Sequence, residues 1–151
     1  LEDDAKFKNN FLEVLDFINS DKNTFEFFWL QPDRLKNKRK LISNFGNLSI
    51  YQFSKGFAGA TGYYLTPQAA RKFLTQSKEW YLTVDVTMDR FFFFFVPPYA
   101  IVPFWLEDDG EIESTIYEKQ KKQRSLKIVI MRELFNLKTN IKRRIYNLFH
   151  W

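Results

Sequence analysis

Cysteine is absent from all 151 residues. That excludes disulfides, thiolate zinc sites and cysteine nucleophiles, and leaves a reducing compartment, the cytoplasm, as the expectation. Histidine occurs once, as His150, one residue from the end. A histidine-based triad is therefore not expected, and a surface position is. The longest uninterrupted apolar run is Phe91 to Val96, far short of the roughly 20 residues that span a bilayer. A secretory leader would need a basic start followed by an apolar stretch, whereas this chain opens Leu1-Glu2-Asp3-Asp4-Ala5. That acidic opening, without an initiator Met, is read as internal to a longer chain.

What is abundant is aromatic. Phe contributes 18 side chains beside 7 Tyr and 4 Trp, a composition that excludes intrinsic disorder. The length suits one domain with a sizeable core. The formal charge of +5 conceals an asymmetry. Residues 117–151 hold ten basic and two acidic side chains, against thirteen basic and sixteen acidic in 1–116. A mildly acidic body thus carries a strongly basic end.

Helical spacing of Phe7, Phe11, Leu15 and Ile18 predicts a helix over 6–19 with these residues on its buried face. Phe25 to Leu30 reads as a buried strand, and the basic, amide-rich 33–47 as a solvated loop. Leu48 to Phe53 alternates as a strand. A glycine-punctuated run from Gly56 to Gly62 leads into a strand at Tyr63-Tyr64-Leu65. A helix then starts at Thr66-Pro67, with Thr66 as its cap and Pro67 where a missing N–H costs nothing. A short helix is expected at Asp85–Asp89, and a strand over 99–104 entered through Pro97-Pro98. From Arg124 onward Leu126, Ile130, Leu134, Leu137, Ile141, Ile145 and Leu148 form one stripe, with Lys and Arg around most of the remaining circumference. Thr139-Asn140 is a candidate break in that helix. Alternating strands and helices in the body indicate an α/β fold.

Several groups could carry chemistry. Glu2, Asp3 and Asp4 supply hard oxygen ligands of the kind that suit Mg²⁺ or Mn²⁺ rather than zinc. Solvated surface charge is the competing account, and Glu107-Asp108-Asp109 before Gly110 is read as an exposed turn. Asp85 and Asp89, at i and i+4, repel each other on a helix unless a cation or a function compensates. One of them could accept a proton from an attacking hydroxyl, or simply cap a helix. The glycines of 56–62 allow either close approach to a sugar or phosphate, or tight packing. They match neither the P-loop nor the dinucleotide pattern.

In this order and spacing the motifs resemble glycosyltransferase family 25, which includes the lipooligosaccharide galactosyltransferases of Gram-negative bacteria. The resemblance rests on Leu1 to Ala5, on Gly59 through Ala70, on Val84-Asp85, on a Pro-bearing strand at 97–104, and on Ser114-Thr115-Ile116. It covers 1–118 as the C-terminal part of a transferase domain and leaves 119–151 as a basic amphipathic helical tail. It implies a partial GT-A-like fold lacking an upstream nucleotide-binding half. The implied reaction is transfer of a hexose, most often galactose, from a UDP-sugar to a lipooligosaccharide core acceptor with inversion.

The same resemblance assigns Glu2, Asp3 and Asp4 to a Mn²⁺ or Mg²⁺ beside the UDP diphosphate, and Asp85 to the base, in preference to Asp89. It places Gly59, Thr61, Gly62 and Tyr63 on the sugar-binding side, with Tyr63 or Tyr64 offering an aromatic face. The run Phe91 to Phe95 stands where a more polar connection is expected, and reads as aggregation-prone or as a contact surface. The alternative function is an inactive fragment that binds a membrane surface or a partner through its basic tail. Either way the tail points to peripheral contact with the inner membrane, unless its stripe simply docks on the body. A +8 tail binds nucleic acid nonspecifically at most, because no base-reading motif accompanies it. The sequence carries no signal of oligomeric state.

Overall fold

Alternation along one aromatic strand builds both faces of the main sheet. The computed structural model describes residues 5–9, 11–31, 37–57, 59–77, 82–108 and 125–151. Its first elements are β1 (Ala5–Phe7), α1 (Phe11–Ile18), β2 (Phe27–Trp29), β3 (Arg39–Phe45) and β4 (Leu48–Phe53). There follow β5 (Tyr63–Leu65), α2 (Pro67–Gln76), α3 (Val84–Met88) and α4 (Phe91–Phe94). Strands β6 (Tyr99–Val102) and β7 (Leu106–Asp108) precede the long α5 (Leu126–His150).

The main sheet runs β3-β4-β6-β2-β5. Strands β2 and β6 are parallel, and every other neighbouring pair is antiparallel. The architecture is therefore a mixed α/β fold whose sheet is largely antiparallel. Side chains alternate across a strand, so Phe28 points to one face of β2 while Phe27 and Trp29 point to the other. Phe28 joins Val14 and Phe17 of α1, Leu48 and Ile50 of β4, and Ile101 of β6. Phe27 and Trp29 join Phe53, Phe57, Ala69 of α2, Met88 of α3 and Phe94 of α4. Two cores thus share one sheet. Full burial of each such side chain is worth about 1.5–3 kcal/mol.

The strand-to-helix junction at Thr66 forms as its residue types require. Thr66 Oγ1 accepts from the Ala69 N–H at 3.2 Å, and Pro67 occupies the first turn. Elsewhere the structure corrects the pattern. Residues 5–7 belong to strand β1, paired antiparallel with β7, so the helix starts only at Phe11. Phe7 is 52% exposed, and Val14 and Phe17, not Phe7, hold the fully buried positions. Phe11, Leu15 and Ile18 pack partly buried around them. The supposed loop at 33–47 contains β3, an exposed edge strand hairpinned to β4 across Gly46-Asn47. Glu107 and Asp108 lie in strand β7 rather than in a turn. Thr139-Asn140 does not interrupt α5.

The phenylalanine run is neither a flat strand nor a sticky surface. Residues 91–94 make one helical turn, which sends successive rings to different neighbours. Phe94 packs on Phe73 of α2 at 4.5 Å, and Phe91 meets Tyr146 of α5 at 5.3 Å. Phe93 lies under the Arg90 and Lys142 cations. Only Phe95, in the left-handed region at φ 54°, is exposed among the five. The turn is a hub that joins the body to α5.

Candidate active site

Helix α3 brings Asp85 and Asp89 to the glycine run that precedes β5. Asp85 is half-buried in the first turn. Its Oδ1 accepts the Val86 N–H at 2.8 Å. Burial raises its pKa, but the Thr83 hydroxyl and the Val86 and Gly59 amides outweigh that and hold the carboxyl below its usual range. Asp85 is consequently ionised at neutral pH and close to the loop backbone.

Asp89, one turn on, behaves differently. Its Oδ1 accepts the Gly56 N–H at 2.5 Å, and its Oδ2 pairs with Arg143 Nη1 of α5 at 3.1 Å. Burial pushes its carboxyl up, against the opposing pull of Arg143, the Gly56 amide and Lys55. Arg143 is the cation that makes two carboxylates tolerable at i and i+4. With both oxygens engaged, Asp89 serves as a clamp between loop and tail.

Two of the glycines are required by this arrangement. A Cβ on Gly56 would stand 2.7 Å from Asp89 Oδ1 and 2.9 Å from Asp89 Cα, closer than packing allows. Gly59 adopts φ +86°, where an L side chain is strained. Gly62 donates to Oε1 of the buried Gln31 at 3.1 Å. Three loop amides thus go to three side chains of the chain itself: Asp89, Asp85 and Gln31. The tight-packing account holds for Gly56.

Thr61 is buried beside this loop, and Tyr63 is half-buried, edge-on to Trp29. Tyr63 lines a cleft of ≈ 230 Å³ together with Leu65, Leu74, Ser77, Val84 and Thr87. Tyr64 packs on the opposite core, 5.9 Å from Phe28. Of the two tyrosines, only Tyr63 faces the helix that carries Asp85. The Ser77 hydroxyl, buried and without a hydrogen-bond partner among the described residues, is a polar group in a mostly apolar wall.

Gln31, Thr83 and Arg143 were not singled out by sequence reasoning. Gln31 had a signal, a polar residue closing a buried strand just before Pro32. Thr83 stands where a helix-capping residue belongs. Arg143 is one of ten basic residues in its segment and had none.

Glu2, Asp3 and Asp4 lie outside the described residues. Among the described residues, no group of three His, Asp or Glu side chains gathers to hold a metal. The backbone register does set Ala5, which follows the first acidic triplet, opposite Asp108 of the second. No helix among the described residues is long and apolar enough to cross a membrane. His150 sits at the end of α5, its ring stacked on Tyr146 at 4.3 Å.

The family model of glycosyltransferase family 25 (LPS biosynthesis protein) matches residues 1–88, more than half of the chain. No curated protein and no solved structure matches significantly. The matched span includes the glycine run, Thr66-Pro67 and Asp85.

Proposed function

The chain belongs to glycosyltransferase family 25, a family of lipopolysaccharide biosynthesis, and from that premise we propose that it transfers a hexose, most simply galactose, from a UDP-sugar to a lipooligosaccharide core acceptor with inversion. The single observation that carries this reading is the meeting of Asp85 with the glycine run. An ionised carboxylate is held by the Gly59 amide, on the helix whose Val84, Thr87 and Met88, with Tyr63, wall the neighbouring cleft. The cleft is smaller than the roughly 300–1,000 Å³ of sites that enclose a whole drug-sized ligand. By volume alone it admits one sugar ring and not an entire nucleotide sugar.

Inversion needs an acceptor hydroxyl to attack the anomeric carbon from the face opposite UDP. The new C–O bond forms as the bond to the diphosphate breaks, and the hydroxyl proton passes to Asp85. A base with a lowered pKa takes that proton late, once bond formation has made the hydroxyl acidic. Tyr63 would offer its ring to the sugar, and Gly59, Thr61 and Gly62, which do not line that cleft, would meet it from the loop next to Asp85.

The donor set Glu2, Asp3 and Asp4 is all hard oxygen and fits Mn²⁺ or Mg²⁺. When bound there, the cation would neutralise charge on the departing diphosphate. A GT-A-like arrangement belongs to the same proposal, as does work at the cytoplasmic surface of the inner membrane, where a lipid-linked acceptor is presented.

The test is transfer of labelled galactose from UDP-galactose to lipooligosaccharide by the full-length protein with Mn²⁺. Activity is expected to vanish on chelation, to return with Mn²⁺, and to be abolished by Asp4→Ala. Unaltered turnover by that variant would overturn the metal assignment.

A further inference from the structure

The stripe on α5 points away from the body. Its seven Leu and Ile side chains range from 49% exposed at Ile141 to 81% at Leu126. The helix is held instead by another face. Tyr146 is buried against Phe91, and Arg143 pairs with Asp89. Asn147 Nδ2 donates to the Ser54 carbonyl at 2.9 Å, and Gln52 Nε2 to that of His150 at 2.8 Å. At 100° per residue, Tyr146 stands roughly 150° around the helix from the middle of the stripe. Docking on the body therefore uses a polar and aromatic face, and leaves the apolar one uncovered among the described residues.

An apolar stripe about 25 residues long needs an occupant, and charge selects it. Residues 125–151 contain six Lys and Arg side chains and one acidic residue, Glu133. Lys127, Lys138 and Arg144 fall at the borders of the stripe by helical spacing. A second copy would set these cations against each other, with almost no carboxylates to pair across the seam. An anionic lipid surface meets both demands at once: headgroups pair with the flanking cations while the stripe enters the acyl boundary. Phe149, 80% exposed, and Trp151 add aromatic side chains of the kind that favour the interface.

We propose that α5 lies in the plane of an anionic membrane surface, stripe inward, and carries the body on its opposite face. This rests on the proposed function only for its purpose, that of presenting Asp85 to a lipid-linked acceptor. The Asp89–Arg143 pair makes the link, because it ties the docked helix to the helix bearing Asp85.

The test is sedimentation of the full-length protein with vesicles of phosphatidylglycerol and phosphatidylethanolamine, and with phosphatidylcholine alone. Binding is expected to the anionic vesicles, weaker to the neutral ones, and reduced by added salt. The double variant Leu137→Gln, Ile141→Gln alters exposed positions only, so it should keep its circular-dichroism spectrum. It should bind anionic vesicles about tenfold or more weakly, given the apolar area lost from the interface. Equal binding by the variant would overturn the proposal. So would failure of the wild type to bind, or a dimer that the same variant dissociates. Transfer to a water-soluble core oligosaccharide is measured in parallel. Loss of vesicle binding with that transfer intact separates failure of docking from failure of the transferase reading.

Discussion

At the scale of the residue, two aspartates one turn apart do opposite things because of what their oxygens touch. Asp85 is held ionised by the Thr83 hydroxyl and the Val86 and Gly59 amides against the cost of its burial. Thr83 makes no side-chain hydrogen bond as the α3 cap, so Thr83→Val removes support from Asp85 without unmaking a cap. The acidic limb of kcat/KM should then move to higher pH. The sign follows from the lowered carboxyl: the acidic limb reports the pKa of the base in the free enzyme, so activity is lost as pH falls through the value that the Thr83 hydrogen bond helps to lower. Less depression brings that loss at higher pH.

Asp89 carries the reverse sign, because burial raises it and Arg143 only partly opposes this. Arg143→Gln leaves the Asp89 charge without its counter-ion. The variant should be less stable than wild type by about 1–2 kcal/mol at neutral pH. Below the ordinary carboxyl range, where Asp89 is protonated in both states, the two proteins should converge. Urea unfolding across pH checks this. A deficit unchanged at low pH would assign Arg143 a packing role only.

At the scale of the element, legibility followed local chemistry. The α2 start could be read because Thr66 and Pro67 act within four residues of themselves, and Thr66→Ala should cost about 1 kcal/mol in a thermal melt. The buried aromatic strand β2 was equally plain. Strand β3 was not, because an edge strand exposed along nearly its whole length has no hydrophobic alternation to display. Its one signal was the turn Gly46-Asn47, with Gly46 at φ +56°, a pair typical of two-residue hairpins. Strands β1 and β7 escaped for a different reason. Each is three residues long and exists only because the other lies beside it, about 100 residues away in the chain. In α5 the apolar periodicity announced a helix correctly, yet the contacts that hold it come from Tyr146, Arg143 and Asn147. Periodicity says which face is apolar and not which face is covered.

At the scale of the whole molecule, the charge asymmetry has a structural meaning. The mildly acidic body is a mixed sheet between two aromatic cores, and the basic end is one long helix fastened to it. Fastening runs through α4, whose successive rings reach α2 on one side and α5 on the other. The candidate site lies along the same line, because α3 and the glycine run are clamped by Asp89 to Arg143. What the sequence motifs showed of the site was Asp85 and the glycines. The part of Gln31 in it needed residues about 30 apart to be brought together by β2 and β5, and the contact of Asp85 with the run needed α3 beside them.

The most direct measurement is steady-state galactosyl transfer by the full-length protein and its Asp85→Asn and Asp89→Asn variants, with folding followed by circular dichroism. Asp85→Asn should stay folded and lose about 10²–10⁴ in kcat, the range supplied by a positioned base. Asp89→Asn, which keeps an oxygen for the Gly56 amide, should retain most of its kcat. Near wild-type turnover by Asp85→Asn, or loss of chemistry confined to a well-folded Asp89→Asn, would contradict the assignment of Asp85 as the base.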